Sequence, residues 1–183
     1  MGNSGFSTFR NRVASTDVAH ERVHQGSMFF VSITGMVPDN GLFTIWLRVP
    51  PQGAFHGRLA ASCEEHTFFS MYEEPSPAGL GEQFIPLNMN REINRSATTT
   101  FWKDNPFNDF GTPLITNMLL PKEYRGNIFV DSGSHGGELI LPGFRDFLLV
   151  FELAKGKDKN VTFTSLFYEP PEEISLGQGP IIQ

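Results

Sequence analysis

The sequence predicts an all-β protein, an antiparallel two-sheet β-sandwich with jelly-roll strand order, on three observations. From Met28 onward apolar and polar residues alternate over short runs, the period of strands with one buried face. Eighteen phenylalanines, within an aromatic content of 13%, supply rings that each bury a large area. No segment carries the apolar recurrence of an amphipathic helix, which disfavours folds built on parallel βαβ crossovers. With 183 residues a single core is expected. The chain divides into an N-terminal arm, 1–26, a sandwich domain, 27–169, and a C-terminal tail, 170–183.

The arm is polar, mixed in charge and short of large aliphatics, as befits an extended segment or short helix outside a core. In the first strand Phe29, Val31 and Ile33 face one way, and Phe30, Ser32 and Thr34 the other. Pro38-Asp39-Asn40-Gly41 supplies the turn chemistry of a hairpin. Phe43, Ile45, Leu47 and Val49 form the next inward row, ended by Pro50-Pro51, which lack the amide donors of a central ladder. Shorter rows follow at Leu59, Ala61 and Cys63, at 68–72, at 98–102 and at 128–130. The strongest are Phe147, Leu149, Phe151 and Leu153, then Val161, Phe163, Ser165 and Phe167, joined by a charged turn at 155–160. Residues 75–94 and 104–125 are expected as long loops, with a short helical turn at 113–120. No solenoid or propeller repeat is present.

A formal net charge of −6 and a pI near 5.3 argue against nucleic acid and anionic membrane as partners. Cys63 is a lone cysteine, which leaves no internal disulfide and reads as a small buried hydrophobe. No apolar run has the length of a signal peptide's core or of the roughly 20 residues that span a bilayer, so synthesis as a soluble protein in the cytoplasm is expected. The triplets Asn94-Arg95-Ser96 and Asn160-Val161-Thr162 are read as chance glycosylation matches. Met1-Gly2 with Ser7 is too loose a myristoylation signal to use.

Three clusters invite a catalytic reading. His20-Glu21-Arg22-Val23-His24 spells H-E-x-x-H, which on a helix sets two imidazoles on one face for zinc, with the glutamate to activate water. Here only a polar arm precedes it and strands follow at once, so the packed helical scaffold of a zinc peptidase is missing; Phe30 stands where a metzincin's third histidine would fall. Glu64 and His66 would share a face if their segment were a strand, within reach of a common proton or metal, although solvated surface charge explains them as well. His56 is nearby, but the paired histidines of a cupin are absent. Asp131-Ser132-Gly133-Ser134-His135-Gly136-Gly137-Glu138 holds the residue types of a triad in a glycine-rich turn, without the G-x-S-x-G elbow. No phosphate loop, dinucleotide fingerprint or cysteine-based zinc pattern occurs. The expectation is therefore a protein that is not an enzyme and uses no cofactor, with no catalytic or metal residues assigned.

Val23-His24-Gln25-Gly26-Ser27-Met28-Phe29, Leu47-Arg48-Val49-Pro50, Asn88-Met89-Asn90-Arg91, Gly111-Thr112-Pro113-Leu114, Glu138-Leu139-Ile140-Leu141-Pro142-Gly143 and the closing Phe167-Tyr168-Glu169 occur in an order that resembles small head proteins of tailed bacteriophages. The resemblance implies a capsid decoration, or cement, protein. Such a jelly-roll sits on the outer surface of the head as a dimer or trimer, binds the major capsid protein and stabilises the mature lattice. It carries over no catalytic residues and offers no role for residues 75–81 and 104–110. Candidate protein-interface residues are Arg10, Arg12 and Arg22 in the arm and Ile174, Ile181 and Ile182 in the tail. The alternative is a head-fibre base or a tail-tip, receptor-binding module, for which exposed Trp46, Trp102 or Tyr72 would suit carbohydrate.

Overall fold

Runs that alternate strictly become long strands because each can bury one face, and their lengths set the height of the sandwich. The computed structural model describes residues 21–51, 54–129 and 139–169. In chain order these form β1 (Met28–Val37), β2 (Leu42–Arg48), β3 (Phe55–Cys63), β4 (Thr67–Glu73), β5 (Ser76–Pro77), β6 (Glu82–Phe84), β7 (Leu87–Asn88), β8 (Thr100–Lys103), β9 (Phe107–Asp109), β10 (Thr112–Leu120), β11 (Arg125–Asn127), β12 (Leu139–Leu141), β13 (Asp146–Leu153) and β14 (Lys159–Tyr168). A helical turn at Glu21 to His24 precedes β1.

Two large antiparallel sheets pack face to face as a β-sandwich. The first runs β11-β3-β14-β1-β7, with β12 sharing the edge of β3 that β11 occupies; the second runs β10-β4-β13-β2-β8-β6. Successive long strands mostly change sheet: β1, β3 and β14 belong to the first, β2, β4, β10 and β13 to the second. Alternating residues thereby meet across the interior. Phe29, Phe55, Phe163 and Phe167 project from the first sheet and Phe43, Phe69, Phe101, Phe147 and Phe151 from the second, all fully buried. Phe101 bridges the layers, its ring 6.1 Å from Phe163 and 5.7 Å from Phe167. Cys63 is a buried free thiol whose pKa burial pushes up.

The expected loops at 75–94 and 104–125 are not loops throughout. They contain β5, β6, β7, β9, β10 and the first residue of β11, and 113–120 is strand rather than a helical turn. Pairing overrides local composition here, because β10 lies along the open edge of β4, where Pro113 loses no necessary donor. Register shifts on both sides of Ile115 and a positive φ at Asn117 mark the irregularity that the sequence suggested. The strand expected at 128–130 sits earlier, at Arg125–Asn127; Ile128 still donates its N–H to Leu59 O, and Val130 lies outside the described residues.

The segments 75–81 and 104–110 make a third layer. β5 and β9 pair as a two-stranded ribbon over the outer face of the second sheet. Phe107 meets Trp46 edge-on at 6.5 Å, and Phe110 meets Tyr72 at 5.5 Å. This cover explains why β13 is buried from Phe147 to Phe151 without alternation, and why Trp46 and Leu148 are inaccessible although they point away from the main core. Asn105 holds the ribbon's base, accepting the Gly81 N–H at 2.8 Å and donating to Gly79 O at 3.3 Å.

Two substitutions measure this packing. A Cβ at Gly35 would lie 2.2 Å from the buried Phe43 ring, so Gly35→Ala is expected to cost about 1–3 kcal/mol in urea denaturation. Phe101→Ala, which empties the ring between the sheets, is expected to cost about 3–5 kcal/mol. A loss below 1 kcal/mol for Phe101→Ala would mean that the two layers are not locked by that ring.

Candidate interaction surface

With the second sheet covered, the outer face of the first is the large open face of the described sandwich, and strand register sets what it presents. Across the sheet Leu87 pairs with Phe30, Phe30 with Leu166, and Leu166 with Arg58. The next outward row is Met28, Tyr168, His56 and Ile140. Ile140 is 61% exposed, and Leu87 and Leu166 are both more than 40% exposed. Toward the other end the outward rows turn to hydroxyl and small side chains: Ser32, Thr164 and Ala60, then Thr34, Thr162 and Ser62. Thr34 and Thr162 join their hydroxyls at 3.0 Å. The face is thus an apolar and aromatic strip beside a neutral, hydroxyl-rich field.

Three residues organise the strip's end. The Arg22 guanidinium carbon lies 3.4 Å from the centroid of the Tyr168 ring, a cation–π contact that fastens the helical turn onto the sheet. The Tyr168 hydroxyl in turn lies 2.7 Å from His56 Nδ1. Arg22, expected as an arm residue reaching for a partner, therefore lies against the body of the chain. Arg10, Arg12, Ile174, Ile181 and Ile182 lie outside the described residues.

Beneath the strip a polar node ties arm, loop and last strand together. The Glu169 carboxylate is buried and accepts the Thr98 N–H at 3.0 Å, the Thr98 hydroxyl at 2.9 Å and the Thr99 N–H at 2.6 Å. The Glu169 N–H donates to Ser27 O at 3.0 Å. Asn88 Nδ2 donates to Gly26 O and Arg95 O, at 3.0 and 2.9 Å, while Asn88 Oδ1 accepts the Asn90 N–H. Asn90 Nδ2 reaches His24 O at 3.1 Å. Residues from three of the motifs quoted above, around Gly26, Asn88 and Glu169, meet at this corner, where their shared task is to satisfy buried backbone groups.

The catalytic clusters fare differently. His20 lies outside the described residues, so the paired-imidazole geometry of the H-E-x-x-H spelling does not enter; Glu21 accepts a hydrogen bond from Gln25 Nε2 at 3.0 Å. Glu64, Glu65 and His66 form the turn between β3 and β4 rather than a strand, which corrects the expected shared face. Glu64 accepts the Asn160 N–H at 3.1 Å, and this bond, with that from the Asn160 side chain, holds its carboxyl below the ordinary range. Glu65 is likewise lowered, first by the His66 N–H. His66 Nδ1 accepts the Lys122 N–H at 3.2 Å. Each is spent on closing turns. Residues 131–138 lie outside the described residues, and among the described residues no group of three or more His, Cys, Asp or Glu could hold a metal ion. No described helix is long and apolar enough to cross a membrane.

Trp46 is buried, Trp102 and Tyr72 are half-buried, and all three belong to the layer beneath or beside the ribbon. Of the two readings open for these three residues, free rings for carbohydrate or packed aromatics of the body, the packing is that of the second. Among the described residues the exposed aromatic is Phe144, 78% accessible and held at φ +66° in the turn before β13, beside a shallow groove with Arg48, Thr100 and Asp146. The apolar strip itself went unread in the sequence. Its available signal was Leu166, an aliphatic residue at an outward position of an otherwise alternating strand.

No family model, no curated protein and no solved structure matches the chain.

Glu169→Ala would leave the buried amide of Thr99 and the part-buried amide of Thr98 without their acceptor. A loss of about 1.5–3 kcal/mol in chemical denaturation is expected; a change within 0.5 kcal/mol would show that the node is dispensable.

Proposed function

We propose that this chain is a structural protein of a bacteriophage virion, a decoration protein that binds the outer surface of the head and stabilises the mature lattice by bridging major capsid subunits. What carries the reading is the asymmetry of the sandwich: the middle of one outer face is covered by the chain's own ribbon, with Leu114 and Leu119 exposed on its edge strand β10, and the other is left open with an apolar strip beside neutral hydroxyls. A face of that composition suits a broad protein contact, in which a few apolar anchors are surrounded by polar groups that exclude water. The order of the quoted motifs adds the phage-head context.

We read the topology as a jelly-roll. What supports this is the strand order β11/β12-β3-β14-β1 in one sheet and β10-β4-β13-β2 in the other, which suits two interleaved Greek keys, an architecture used by viral capsid and lectin domains. Stabilisation then needs no chemical step. Binding only the expanded lattice favours that lattice by mass action, and many copies on one shell add their effects.

The receptor-binding alternative keeps one observation in its favour, the exposed Phe144 beside the groove of Arg48, Thr100 and Asp146. An aromatic face beside charged and hydroxyl groups suits a sugar ring.

Purified full chain is expected to co-sediment with empty expanded heads and not with unexpanded ones. Leu166→Asp and Ile140→Asp, both at exposed positions, should weaken that binding roughly tenfold or more while leaving circular dichroism unchanged. Absence of head binding together with glycan binding that Phe144→Ala abolishes would overturn the decoration reading in favour of a tail module.

A further inference from the structure

The open edge of β1 is unlike every other edge in the sandwich. β1 pairs with β14 along its whole length, but on its other side only Phe29 and Phe30 have a strand partner, β7. Among the described residues, 31–37 have no strand on that side. Backbone direction along this edge can be read from two contacts: Met28 O accepts the Met89 N–H, and Thr34 O receives Lys103 Nζ at 3.5 Å. The even positions therefore turn their N–H and C=O groups outward, and the free row is Ser32, Thr34 and Met36.

Natural sheets protect such rows with charges, proline, bulges or short strands. The remaining edges here obey that rule. β10 carries Pro113 and two register shifts, and β6, β11 and β12 are three residues each. β1 spans ten residues, MFFVSITGMV, with no charge, no proline and a composition that favours extended chain. Among the described residues Lys103 reaches across it, and that ammonium also has Glu82 at 3.5 Å and Asp104 at 3.9 Å to hold it if it withdraws.

The open run is symmetric. β7 closes it at Phe30 and the Pro38 turn closes it after Val37, so its midpoint is Thr34. We propose that β1 is the seam of a two-fold dimer, in which a second copy of this chain adds its own β1 antiparallel about an axis through Thr34. This pairing sets Thr34 against its symmetry mate and Ser32 against Met36, forms about six backbone hydrogen bonds, and ends on each side where the free row ends. It places no like charges opposite each other, and Thr opposite Thr is a favourable cross-strand pair. The first sheet becomes continuous across both copies, and the apolar strip is presented twice on one surface. The proposal does not depend on the capsid reading, since it concerns the isolated chain.

Sedimentation equilibrium of the full chain over a concentration series tests it. The parent is expected to dimerise, and Thr34→Lys, which sets two ammonium groups against each other at the axis, to be monomeric at concentrations where the parent is dimeric, with native circular dichroism. Ser32→Lys combined with Met36→Glu is expected to retain the dimer, because the register sets each new ammonium opposite a new carboxylate. A parent that stays monomeric throughout overturns the proposal. So does a dimer that survives Thr34→Lys, or loss of the dimer in the double variant. Hydrogen exchange of the parent provides a check without substitution: the amides of Ser32, Thr34 and Met36 should gain protection as concentration rises, and the absence of that gain counts equally against the seam.

Discussion

The fold depends on the stacking of phenylalanine rings between two sheets that share almost no backbone hydrogen bonds with each other. Phe167 stacks on Phe29 at 5.6 Å and on Phe55 at 4.9 Å within the first sheet, while Phe151 stacks on Phe43 at 5.7 Å and lies 5.3 Å from Phe69 in the second. Phe101 reaches across to join the two sets. Rings of this size fill the interval of roughly 10 Å between packed sheets with few side chains. They also fix where small residues must stand. Gly35 on β1 leaves the space that the Phe43 ring occupies, so a single missing Cβ matches one sheet to the other.

That packing leaves two outer faces, and the chain treats them oppositely. The second sheet is apolar on both sides and would be a liability in water, but the β5–β9 ribbon covers Trp46 and its neighbours with Phe107 and Phe110. The segments that looked like insertions without a role are thus part of the structural body. The first sheet has no such cover among the described residues. Its outward rows are mixed rather than uniformly apolar, which keeps the face soluble while leaving Leu87, Leu166 and Ile140 available as anchors.

The polar corner links these layers to the entry of the chain. Glu169 closes β14 and at the same time supplies the acceptor for the amides of Thr98 and Thr99 just before β8, so one carboxylate connects the end of the first sheet to the second. Asn88 and Asn90 bind the carbonyls of the turn that leads into β1. Arg22 rests on Tyr168 above them. The alignment of β1 with β14, and with it the position of the open β1 edge, is held at this corner by hydrogen bonds as well as by the rings below.

Local sequence determined the parts of this protein that depend on period and composition. The strands β1, β2, β13 and β14 and their inward phenylalanines were legible because a two-residue alternation with one buried face has few other solutions. So was the antiparallel sandwich, since the long strands are joined without helices. Tertiary structure alone decided the rest. Residues 113–120 became a strand because the edge of β4 was there to pair with, and Glu64 and His66 left a common face because β3 ended at Cys63. The ribbon over Trp46, the strip across five strands and the unpaired run of β1 all arise between segments far apart in the chain. A pattern read within ten residues reports which face of a strand is buried; it holds no information about which strand lies beside it, and the surface of a sheet is made by that choice.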